Sequence, residues 1–236
     1  MSNDSLGDRM KAYEDLHRVK LMKRIPVVIR IDGKAFHTFL RNAKKPFDDG
    51  VITAMSNAAE HVIREIGGTA RLAYIQSDEC SIILNNALDI LTTAWFDNNL
   101  QKMASVAASI FTAHFNTSYV ANNLAYFDAR AFGLPDLNEV TNYLIWRQQD
   151  ATRNSIRMYA STLYSHHELD GVSNAAAQEM MFVKGLNWNN VETRYKRGFV
   201  VTKNIVDFDI PVFTSDRDYI KNLYLPKDDI HGSVVS

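Results

Sequence analysis

Two acidic segments of the chain contain the residue types of a catalytic metal site. Asp32 ends a short apolar run and is followed by Gly33, while Asp78 and Glu79 share a short polar segment. Where two such segments meet, the carboxylates of Asp32 and Asp78 repel each other unless a cation lies between them. Oxygen ligands of this kind suit Mg²⁺, and two such ions could activate a 3′-hydroxyl and stabilise a leaving pyrophosphate. The alternative is that Asp32 caps a loop and that Asp78 and Glu79 form a solvated turn.

Three segments could bind phosphate groups. Gly33 permits a close approach of the backbone to a ligand, and successive N–H groups over residues 33–37 could cradle a triphosphate, although the glycine spacing of a Walker loop is absent. Lys45 belongs to a basic pair that precedes a proline. Lys196 and Arg197 belong to a basic cluster that could hold an RNA backbone. A solvated surface is the alternative for both basic segments.

The hydrophobic pattern predicts four strands and two helices that would position these residues. Helical spacing predicts one helix after Asp48 and a second helix from about residue 88 to 115. The elements follow the order β-α-β-β-α-β, which is the ferredoxin-like arrangement found in the palm of many polymerases and nucleotide cyclases. Short apolar runs predict the strands at residues 26–32, 71–75, 80–84 and 124–129.

The predicted topology brings the two acidic segments together. In a sheet of this kind the first and third strands are adjacent and antiparallel, so Asp32 lies beside the hairpin that contains Asp78. We therefore predict an α+β fold with a polymerase-type palm and an N-terminal extension over residues 1–135. Residues 136–236 are predicted as a mostly helical, partly extended C-terminal region that packs on the palm without a sharp boundary. Because this topology also serves unrelated functions, it does not identify the reaction.

The composition is that of a globular protein. Of the 236 residues, 46% are apolar and 22% are charged, which excludes global disorder. The single cysteine excludes an intrachain disulfide and a zinc site with several cysteine ligands. The net charge of −1 argues against a general nucleic-acid binder, although residues 1–50 hold 11 Lys/Arg against 7 Asp/Glu. Without a signal core or an apolar run of about 20 residues, the protein is predicted to be soluble and cytoplasmic, with no membrane association.

Six short motifs, in order along residues 30–198, resemble signatures of the tRNA-His guanylyltransferases. The two longest are RIDGKAFH at residues 30–37, which resembles R-[IL]-D-G-[RK]-x-F-H, and QSDECS at residues 76–81, which resembles Q-S-D-E-[YC]-S. The start of the chain, at residues 4–11, is similar to the start of bacterial and archaeal members. The four shorter motifs are KP at residues 45–46, FDAR at 127–130, WRQQD at 146–150 and YKRG at 195–198.

The resemblance implies a palm fold, two Mg²⁺ ions, ATP and GTP as substrates, and nucleotide addition to RNA 5′ ends in the 3′-to-5′ direction. In that reaction a 5′-monophosphate end is activated with ATP, and the 3′-hydroxyl of an incoming nucleotide attacks the activated end. Pyrophosphate is then removed from the new end. The resemblance also implies tRNA as the RNA partner and assembly as a homotetramer.

Roles for individual residues follow from the same resemblance. Asp32, Asp78 and the carbonyl of Gly33 would hold the metal ions, and Glu79 would be a second essential acid of the hairpin. The nucleotide-binding residues would be Gly33, Lys34, Ala35, Phe36, His37 and Lys45 at the triphosphate, Ser77 at the nucleotide and Asp48 at the edge of the base.

Two departures from the family pattern bear on the RNA substrate. After the WRQQD motif the family has H-I-N-N-L-Y-N, whereas residues 152–158 read TRNSIRM, so Thr152 replaces the histidine. This points to the guanylyltransferase-like branch, which repairs tRNA 5′ ends with the opposite strand as template. Of a basic run that meets a 5′-triphosphate in the family, Lys102 alone remains. The residues predicted to contact RNA or its 5′ phosphates are Arg9, Lys11, Lys102, Arg130, Lys196 and Arg197.

The sequence therefore predicts a Mg²⁺-dependent, template-directed nucleotidyltransferase that acts on tRNA 5′ ends. Three alternatives remain: a tRNA-His guanylyltransferase that adds an untemplated G, a palm-fold nucleotide cyclase, and a non-catalytic tRNA-binding protein. A cyclase would form a cyclic product from nucleotide alone, without RNA. A non-catalytic binder would gain nothing from two adjoining carboxylates, so the presence of both Asp32 and Asp78 argues against it.

Overall fold

The computed structural model describes residues 5–88 and 91–225. Residues 1–4, 89–90 and 226–236, which belong to the predicted N-terminal extension, second helix and C-terminal region, lie outside the described residues. The strands are β1 (Pro26–Gly33), β2 (Ala70–Gln76), β3 (Glu79–Asn85), β4 (Phe127–Gly133), β5 (Phe199–Val201) and β6 (Val206–Asp207). They form one antiparallel sheet in the order β4-β1-β3-β2-β5-β6. The first four strands have the order and directions of the ferredoxin-like palm, which confirms the predicted fold class.

Helices lie on both faces of this sheet. The longest, α5, belongs to the C-terminal region. Within the described ranges, no helix combines the length and apolarity needed to cross a lipid bilayer. The helices are α1 (Leu6–Asp15), α2 (Phe36–Phe39), α3 (Asp49–Ile66), α4 (Leu100–Ser118), α5 (Leu137–Ala160), α6 (His166–Leu169), α7 (Asn174–Val183), α8 (Thr193–Arg197) and α9 (Arg217–Tyr224).

The helix predicted after Asp48 is α3, and local sequence determines both of its ends. The Asp48 carboxylate accepts hydrogen bonds from the backbone N–H groups of Gly50 (2.8 Å) and Val51 (3.3 Å), which satisfies two donors that have no partner within the helix. At the other end Gly67 adopts a φ of 78°, a left-handed conformation that glycine reaches without a steric penalty. The apolar side of α3 then packs against the sheet.

The second helix begins later than predicted. Helical spacing places its start near residue 88, but α4 begins at Leu100, and Leu91 is 84% exposed. The Asn99 side chain accepts from the N–H of the third residue after it at 3.0 Å and so caps the helix. The buried Asn98, with a φ of 58°, bonds to a backbone carbonyl of the segment before β1. Side-chain bonding by these two asparagines therefore determines the boundary, and the apolar spacing before it does not.

The fourth strand is also shifted along the chain. It is predicted from residue 124 to 129 and begins instead at Phe127, with Leu124 63% exposed. The side-chain amide of Asn116 bonds both the N–H and the carbonyl of Ala125, at 2.8 and 2.9 Å. Because these two backbone groups are already paired with a side chain, this stretch does not join the β-ladder.

Two apolar layers hold the palm together. On one face, α3 and α4 pack over strand residues such as Ile29, with Phe115 of α4 fully buried. On the other face, α5, α9 and the chain around Phe213 pack over residues such as Val28. The C-terminal region also contributes β5, which pairs with β2. This region therefore contacts the palm through one face and one edge of the sheet.

We predict that Phe213→Ala destabilises the whole palm. Phe213 is fully buried, and its ring centroid lies 5.6 Å from that of Tyr74 in β2 and 5.9 Å from that of Tyr219 in α9. Loss of a buried Phe side chain typically costs about 3–5 kcal/mol. Urea unfolding followed by circular dichroism should show this loss in a single transition. The control Phe182→Ala removes a ring that is 62% exposed and should change stability by less than about 0.5 kcal/mol. Equal effects of the two variants would contradict this packing.

Candidate active site

Strand register brings the two acidic segments together at one end of the sheet. Asp32 of β1 pairs with Glu79 of β3 on one side and with Asp128 of β4 on the other. The backbone N–H of Gly33 donates to the carbonyl of Asp78 at 3.1 Å. The structure therefore places Asp32, Gly33, Asp78 and Glu79 next to one another, as the adjacency of the first and third strands predicts.

The surroundings of Asp78 disfavour its charged form. Burial raises the pKa of Asp78 above its ordinary value, and the nearby charge of Asp32 raises it further. Hydrogen bonds from the hairpin backbone and from Ser77 lower the pKa without reversing the shift. Ser77 itself has a φ of 51°, the left-handed conformation that two-residue hairpin turns use. The fold thus holds two carboxylates in mutual repulsion, which a bound cation would relieve.

Glu79 faces α5 and pairs with a buried arginine. Its carboxylate accepts from the guanidinium of Arg147 at 2.9 Å, and Arg147 also donates to Asp150 at 2.8 Å. Burial raises the pKa of Glu79, and the charges of Arg147 and Arg30 partly offset that shift. Sequence analysis did not identify this pair. The available signal was an arginine on the buried side of an amphipathic helix, because a charge in that position needs a carboxylate partner.

The oxygen donors at the end of β1 fit magnesium. They are the carboxylates of Asp32 and Asp78 and the Gly33 carbonyl, and one buried oxygen of Glu79 has no hydrogen-bond partner among the described residues. Anywhere in residues 5–88 and 91–225, no three His, Cys, Asp or Glu side chains form a ready-made metal cluster. Mg²⁺ needs no such cluster, because it keeps several waters and takes further ligands from substrate phosphates.

The segment after β1 offers fewer free N–H groups than the sequence predicts. The N–H of Gly33 is bonded to the hairpin, and the N–H of Lys34 donates to the carbonyl of Tyr126 at 2.8 Å. Ala35 is left-handed, with a φ of 52°, and precedes the short helix α2. No carbonyl in the described chain accepts from the N–H groups of residues 35–37. Three of the five predicted groups therefore remain open to a phosphate.

Packing explains why Gly33 and Phe36 occur together in this segment. Phe36 is buried, and its ring centroid lies 5.0 Å from that of Phe127 and 5.6 Å from that of Phe115. A Cβ on Gly33 would lie 2.2 Å from the Phe36 ring, so only glycine leaves room for it. The Phe36 side chain belongs to the core, and the side chains of Lys34 and His37 are exposed.

A cavity beside the hairpin collects the other predicted nucleotide-binding residues. Lys45, Asp48 and Ser77 line it. The Lys45 ammonium donates to the carbonyl of Leu40 at 3.0 Å and lies at the surface, so it can turn towards a ligand. The Asp48 carboxylate already caps α3 and accepts from the N–H of Lys44 at 3.2 Å. Contact between Asp48 and a base would compete with these bonds.

The cavity also contains residues that the sequence did not predict at the nucleotide, although Arg194 belongs to the basic cluster predicted to hold RNA. Arg194 of α8 and Met158 of α5 line it. The Arg194 guanidinium lies 4.7 Å above the centre of the Tyr195 ring and 3.4 Å from the Asp49 carboxylate. Phe47 stacks on Tyr195 with the ring centroids 5.3 Å apart. These residues lie far apart in the sequence, and no spacing pattern connects them; only the fold brings them together.

The stretch that replaces the family's H-I-N-N-L-Y-N motif makes mainly structural contacts. Thr152 donates to the carbonyl of Gln148 within α5 at 2.9 Å. The buried Ser155 accepts from the indole N–H of Trp188 at 3.1 Å. Arg157 donates to the backbone carbonyls of Leu169, the last residue of α6, and of Val172. This stretch therefore anchors α5 to the chain around α6 and Trp188, and Met158 at its end lines the cavity.

The six residues predicted to contact RNA lie on separate elements. Arg130 is exposed on β4, is the register partner of Arg30 in β1, and forms an ion pair with Asp128 at 3.2 Å. It is the member of the set that lies on a strand next to Asp32. The others are Arg9 and Lys11 on the exposed helix α1, Lys102 in the first turn of α4, and Lys196 and Arg197 at the end of α8.

We predict that Asp78→Asn raises the melting temperature at pH 7 when no divalent cation is present. A neutral amide removes a buried charge and its repulsion with Asp32. Because the pKa of Asp78 is raised in the folded state, wild-type stability falls as pH rises through that pKa. Below about pH 4 both proteins carry a neutral side chain, so the difference in melting temperature should disappear. The control Asp128→Asn, at a side chain that is 62% exposed, should have little effect. A lower melting temperature for Asp78→Asn at pH 7 would contradict this electrostatic description.

Arg147→Met should destabilise the protein by about 3–5 kcal/mol, because it leaves the buried Glu79 carboxylate unpaired. Adding Glu79→Gln should recover part of the loss, since the double variant has no buried charge at this position. Urea unfolding of the two single variants and the double variant measures the coupling. Additive effects would show that the two side chains do not interact as described.

Comparison with known proteins identifies the family of this chain. Residues 7–135, more than half of the chain, match the family model described as tRNAHis guanylyltransferase, or Thg1. The tRNA(His) guanylyltransferase of Saccharomyces cerevisiae is 29% identical over 227 residues, which cover 86% of this chain and 92% of the yeast protein.

Two solved structures of a bacterial tRNA(His) guanylyltransferase (Thg1)-like protein are similar over 94% of this chain and 100% of theirs. The complex with ATP has a TM-score of 0.89 at 43% identity, and the complex with GTP has a TM-score of 0.83 at 40% identity. Sequence motifs, strand order and these matches agree. The chain belongs to the tRNAHis guanylyltransferase family.

Proposed function

We propose that this protein is a Mg²⁺-dependent, template-directed 3′–5′ nucleotidyltransferase that adds nucleotides to tRNA 5′ ends. The observation that carries the proposal is the meeting of Asp32 and Asp78 beside a cavity lined by Lys45 and Ser77. Two adjoining carboxylates next to a basic cavity suit a nucleoside triphosphate that brings a metal ion with it.

Nucleotide binding is assigned to the cavity and to the segment after β1. The N–H groups of residues 35–37 and the Lys45 ammonium would hold the triphosphate, and the Ser77 hydroxyl would hydrogen-bond to the nucleotide. Arg194 and Phe47, which line the same cavity, add charge and an aromatic surface near the base. The bacterial relatives were solved with ATP and with GTP, which supports this assignment.

Asp32, Asp78 and the Gly33 carbonyl would hold Mg²⁺. When bound, Mg²⁺ supplies a lower pKa for an attacking hydroxyl and charge neutralisation for a departing pyrophosphate. Glu79 is oriented by Arg147, and its other carboxylate oxygen is buried without a hydrogen-bond partner among the described residues. Arg147 is thus a positioning residue for the acidic hairpin.

Three successive steps, which the family resemblance implies, would use this one centre. The 5′-monophosphate of the RNA attacks the α-phosphate of ATP, and pyrophosphate leaves. The 3′-hydroxyl of the incoming nucleotide then attacks the activated 5′ end, and AMP leaves. Removal of pyrophosphate from the new end leaves a 5′-monophosphate. The amides of residues 35–37 and Lys45 would hold phosphate groups in each step.

The choice between repair and untemplated G addition rests on the stretch over residues 152–158. The named yeast relative is a tRNA(His) guanylyltransferase, so G addition to tRNA-His is the second candidate. Repair is favoured because Thr152, Ser155 and Arg157 bond within the protein where the family has its H-I-N-N-L-Y-N motif. Base pairing would then supply specificity, and the protein would hold mainly phosphates and the helix end. A homotetramer and a cytoplasmic location, expected from the resemblance and the composition, remain predictions.

Lys45→Ala should raise the KM for nucleotide with little change in the melting temperature. A lysine that makes a charge-assisted contact with phosphate contributes about 1.5–3 kcal/mol, which corresponds to roughly 10- to 150-fold in KM. The exposed Lys203, which is not among the cavity residues, provides the control variant Lys203→Ala. An unchanged KM together with a lower melting temperature would make Lys45 a structural residue.

The proposed reaction is tested by incubating the protein with tRNA, ATP, nucleotides and Mg²⁺ and reading product length. Transcripts that lack their first nucleotide, each with a varied opposing base, should gain the complementary nucleotide across several tRNA identities. Full-length tRNA-His should gain little untemplated G. Asp32→Ala and Asp78→Ala should each reduce the rate by more than about 100-fold.

The outcomes of this assay separate the candidate functions. Strong G addition to intact tRNA-His, whatever base lies opposite, would favour the second candidate. A cyclic product from nucleotide alone would indicate a cyclase. RNA binding without any product, with Asp32→Ala unchanged from wild type, would indicate a non-catalytic protein.

A further inference from the structure

Trp146 is an exposed tryptophan beside the acidic hairpin, and the proposed function assigns it no role. It lies on α5 immediately before Arg147, the residue that pairs with Glu79, and it is 48% exposed. A tryptophan buries a large apolar area when it packs in a core, so a half-exposed ring next to a reaction centre calls for a ligand that covers it.

The Trp146 ring packs against two neighbouring side chains. The Arg147 guanidinium lies 3.8 Å from the ring centre, and Arg147 is itself buried and bonded to Glu79 and Asp150. The centroid of the Tyr143 ring lies 6.0 Å from that of Trp146, and the two ring planes are inclined by 61°. A rigid ring with little conformational freedom left to lose is suited to stacking, because binding then costs little side-chain entropy.

Trp146 and the nucleotide cavity lie against different strands of the sheet. Tyr143, the neighbour of Trp146, packs on Phe132 of β4 at 5.7 Å and bonds to Ser81 of β3. This part of α5 therefore covers the half of the sheet formed by β4, β1 and β3. The cavity is lined from the other half, by the end of β2, by Ser77 and by Phe199 of β5. Asp32, on β1, belongs to the half of the sheet that α5 covers here.

Positive charge accompanies Trp146 on the same face of the sheet. Because side chains alternate along a strand, Arg30 shares the face of Asp32, and Arg130 is its register partner on β4. The Arg30 Nε is buried without a hydrogen-bond partner in the described ranges. An aromatic ring next to basic side chains is the pattern with which proteins bind the bases and phosphates of single-stranded nucleic acid.

We propose that Trp146 stacks on the terminal base at the 5′ end of the RNA substrate. This inference rests on the proposed function, which brings two substrates to the carboxylates: a nucleotide, assigned to the cavity, and an RNA 5′ end, which we assign to the strands beside Trp146. Stacking would hold the 5′ phosphate against the centre without reading the identity of the base, because every base has a stacking face. That property suits a reaction in which base pairing selects the nucleotide.

A fluorescence experiment tests the contact itself. The chain has three tryptophans, so Trp95→Phe/Trp188→Phe leaves Trp146 as the single emitter, and Trp95→Phe/Trp146→Phe leaves Trp188 as the matched control. The probe is a 5′-monophosphorylated acceptor-stem hairpin RNA without its first nucleotide, added in the absence of ATP and Mg²⁺. Emission from Trp146 should be quenched at saturating RNA, and emission from Trp188 should not change.

Binding measurements with two variants and two RNAs test whether Trp146 contacts the 5′-terminal base. Trp146→Leu should weaken RNA binding by about 5- to 150-fold, the range for loss of one stacked base, and Trp146→Phe should lose less. The KM for ATP should stay unchanged. With an RNA that is abasic at the 5′-terminal nucleotide, wild type and Trp146→Leu should bind equally. Melting temperatures of both variants verify that the fold is intact.

Two results would overturn the stacking inference: unquenched Trp146 emission at saturating RNA, or an equal loss on Trp146→Leu for abasic and intact RNA. The second result would assign Trp146 to α5 packing or to another partner. Because binding and quenching are measured without catalysis, they can fail while nucleotide addition proceeds. Conversely, quenching without any product would support the stacking contact and count against the proposed reaction alone.

Discussion

Repulsion between the carboxylates of Asp32 and Asp78 is the constraint on which the proposed reaction centre depends. Antiparallel pairing of β1 with β3 fixes Asp32 beside the hairpin, and the bond from the Gly33 N–H to the Asp78 carbonyl holds the hairpin in place. The backbones that carry the two side chains cannot separate without breaking this pairing. Burial is the main cause of the raised pKa of Asp78, and the charge of Asp32 adds to it; a divalent cation would favour the charged form again.

The rest of the molecule keeps this arrangement rigid from two directions. From one face, Phe36 packs into the core against Gly33 and so sets the path of the chain after β1. From the other face, α5 supplies Arg147, which pairs with Glu79. The C-terminal region is thereby connected both to the core and to the charges of the site. If α5 packed without bringing Arg147 to the hairpin, the Glu79 carboxylate would be buried and unpaired.

Local patterns predicted the fold well where one physical effect dominated. A continuous apolar run located β1, a short polar segment between two strands located the hairpin, and the caps of α3 follow from Asp48 and Gly67. The prediction of α4 failed at its start because Asn98 and Asn99 form side-chain bonds that apolar spacing does not reveal.

The candidate site was likewise predicted in part. Strand adjacency predicted that Asp32 and Asp78 meet, because it needs only the order of the elements. The pairing of Arg147 with Glu79 and the place of Arg194 at the cavity were not predicted, because both depend on partners distant in sequence and on how α5 and α8 pack. The open N–H groups of residues 35–37 could not be told from those of Gly33 and Lys34 without the strand pairing.

The most direct measurement of the central claim is anomalous diffraction from crystals grown with Mn²⁺ and a non-hydrolysable ATP analogue. Mn²⁺ replaces Mg²⁺ at oxygen sites and is located by its own scattering. We predict a peak between the carboxylates of Asp32 and Asp78, with the phosphates of the analogue as further ligands, and no such peak in Asp78→Asn crystals. A bound analogue with no metal between the two carboxylates, or with metal held only by its phosphates, would contradict the account.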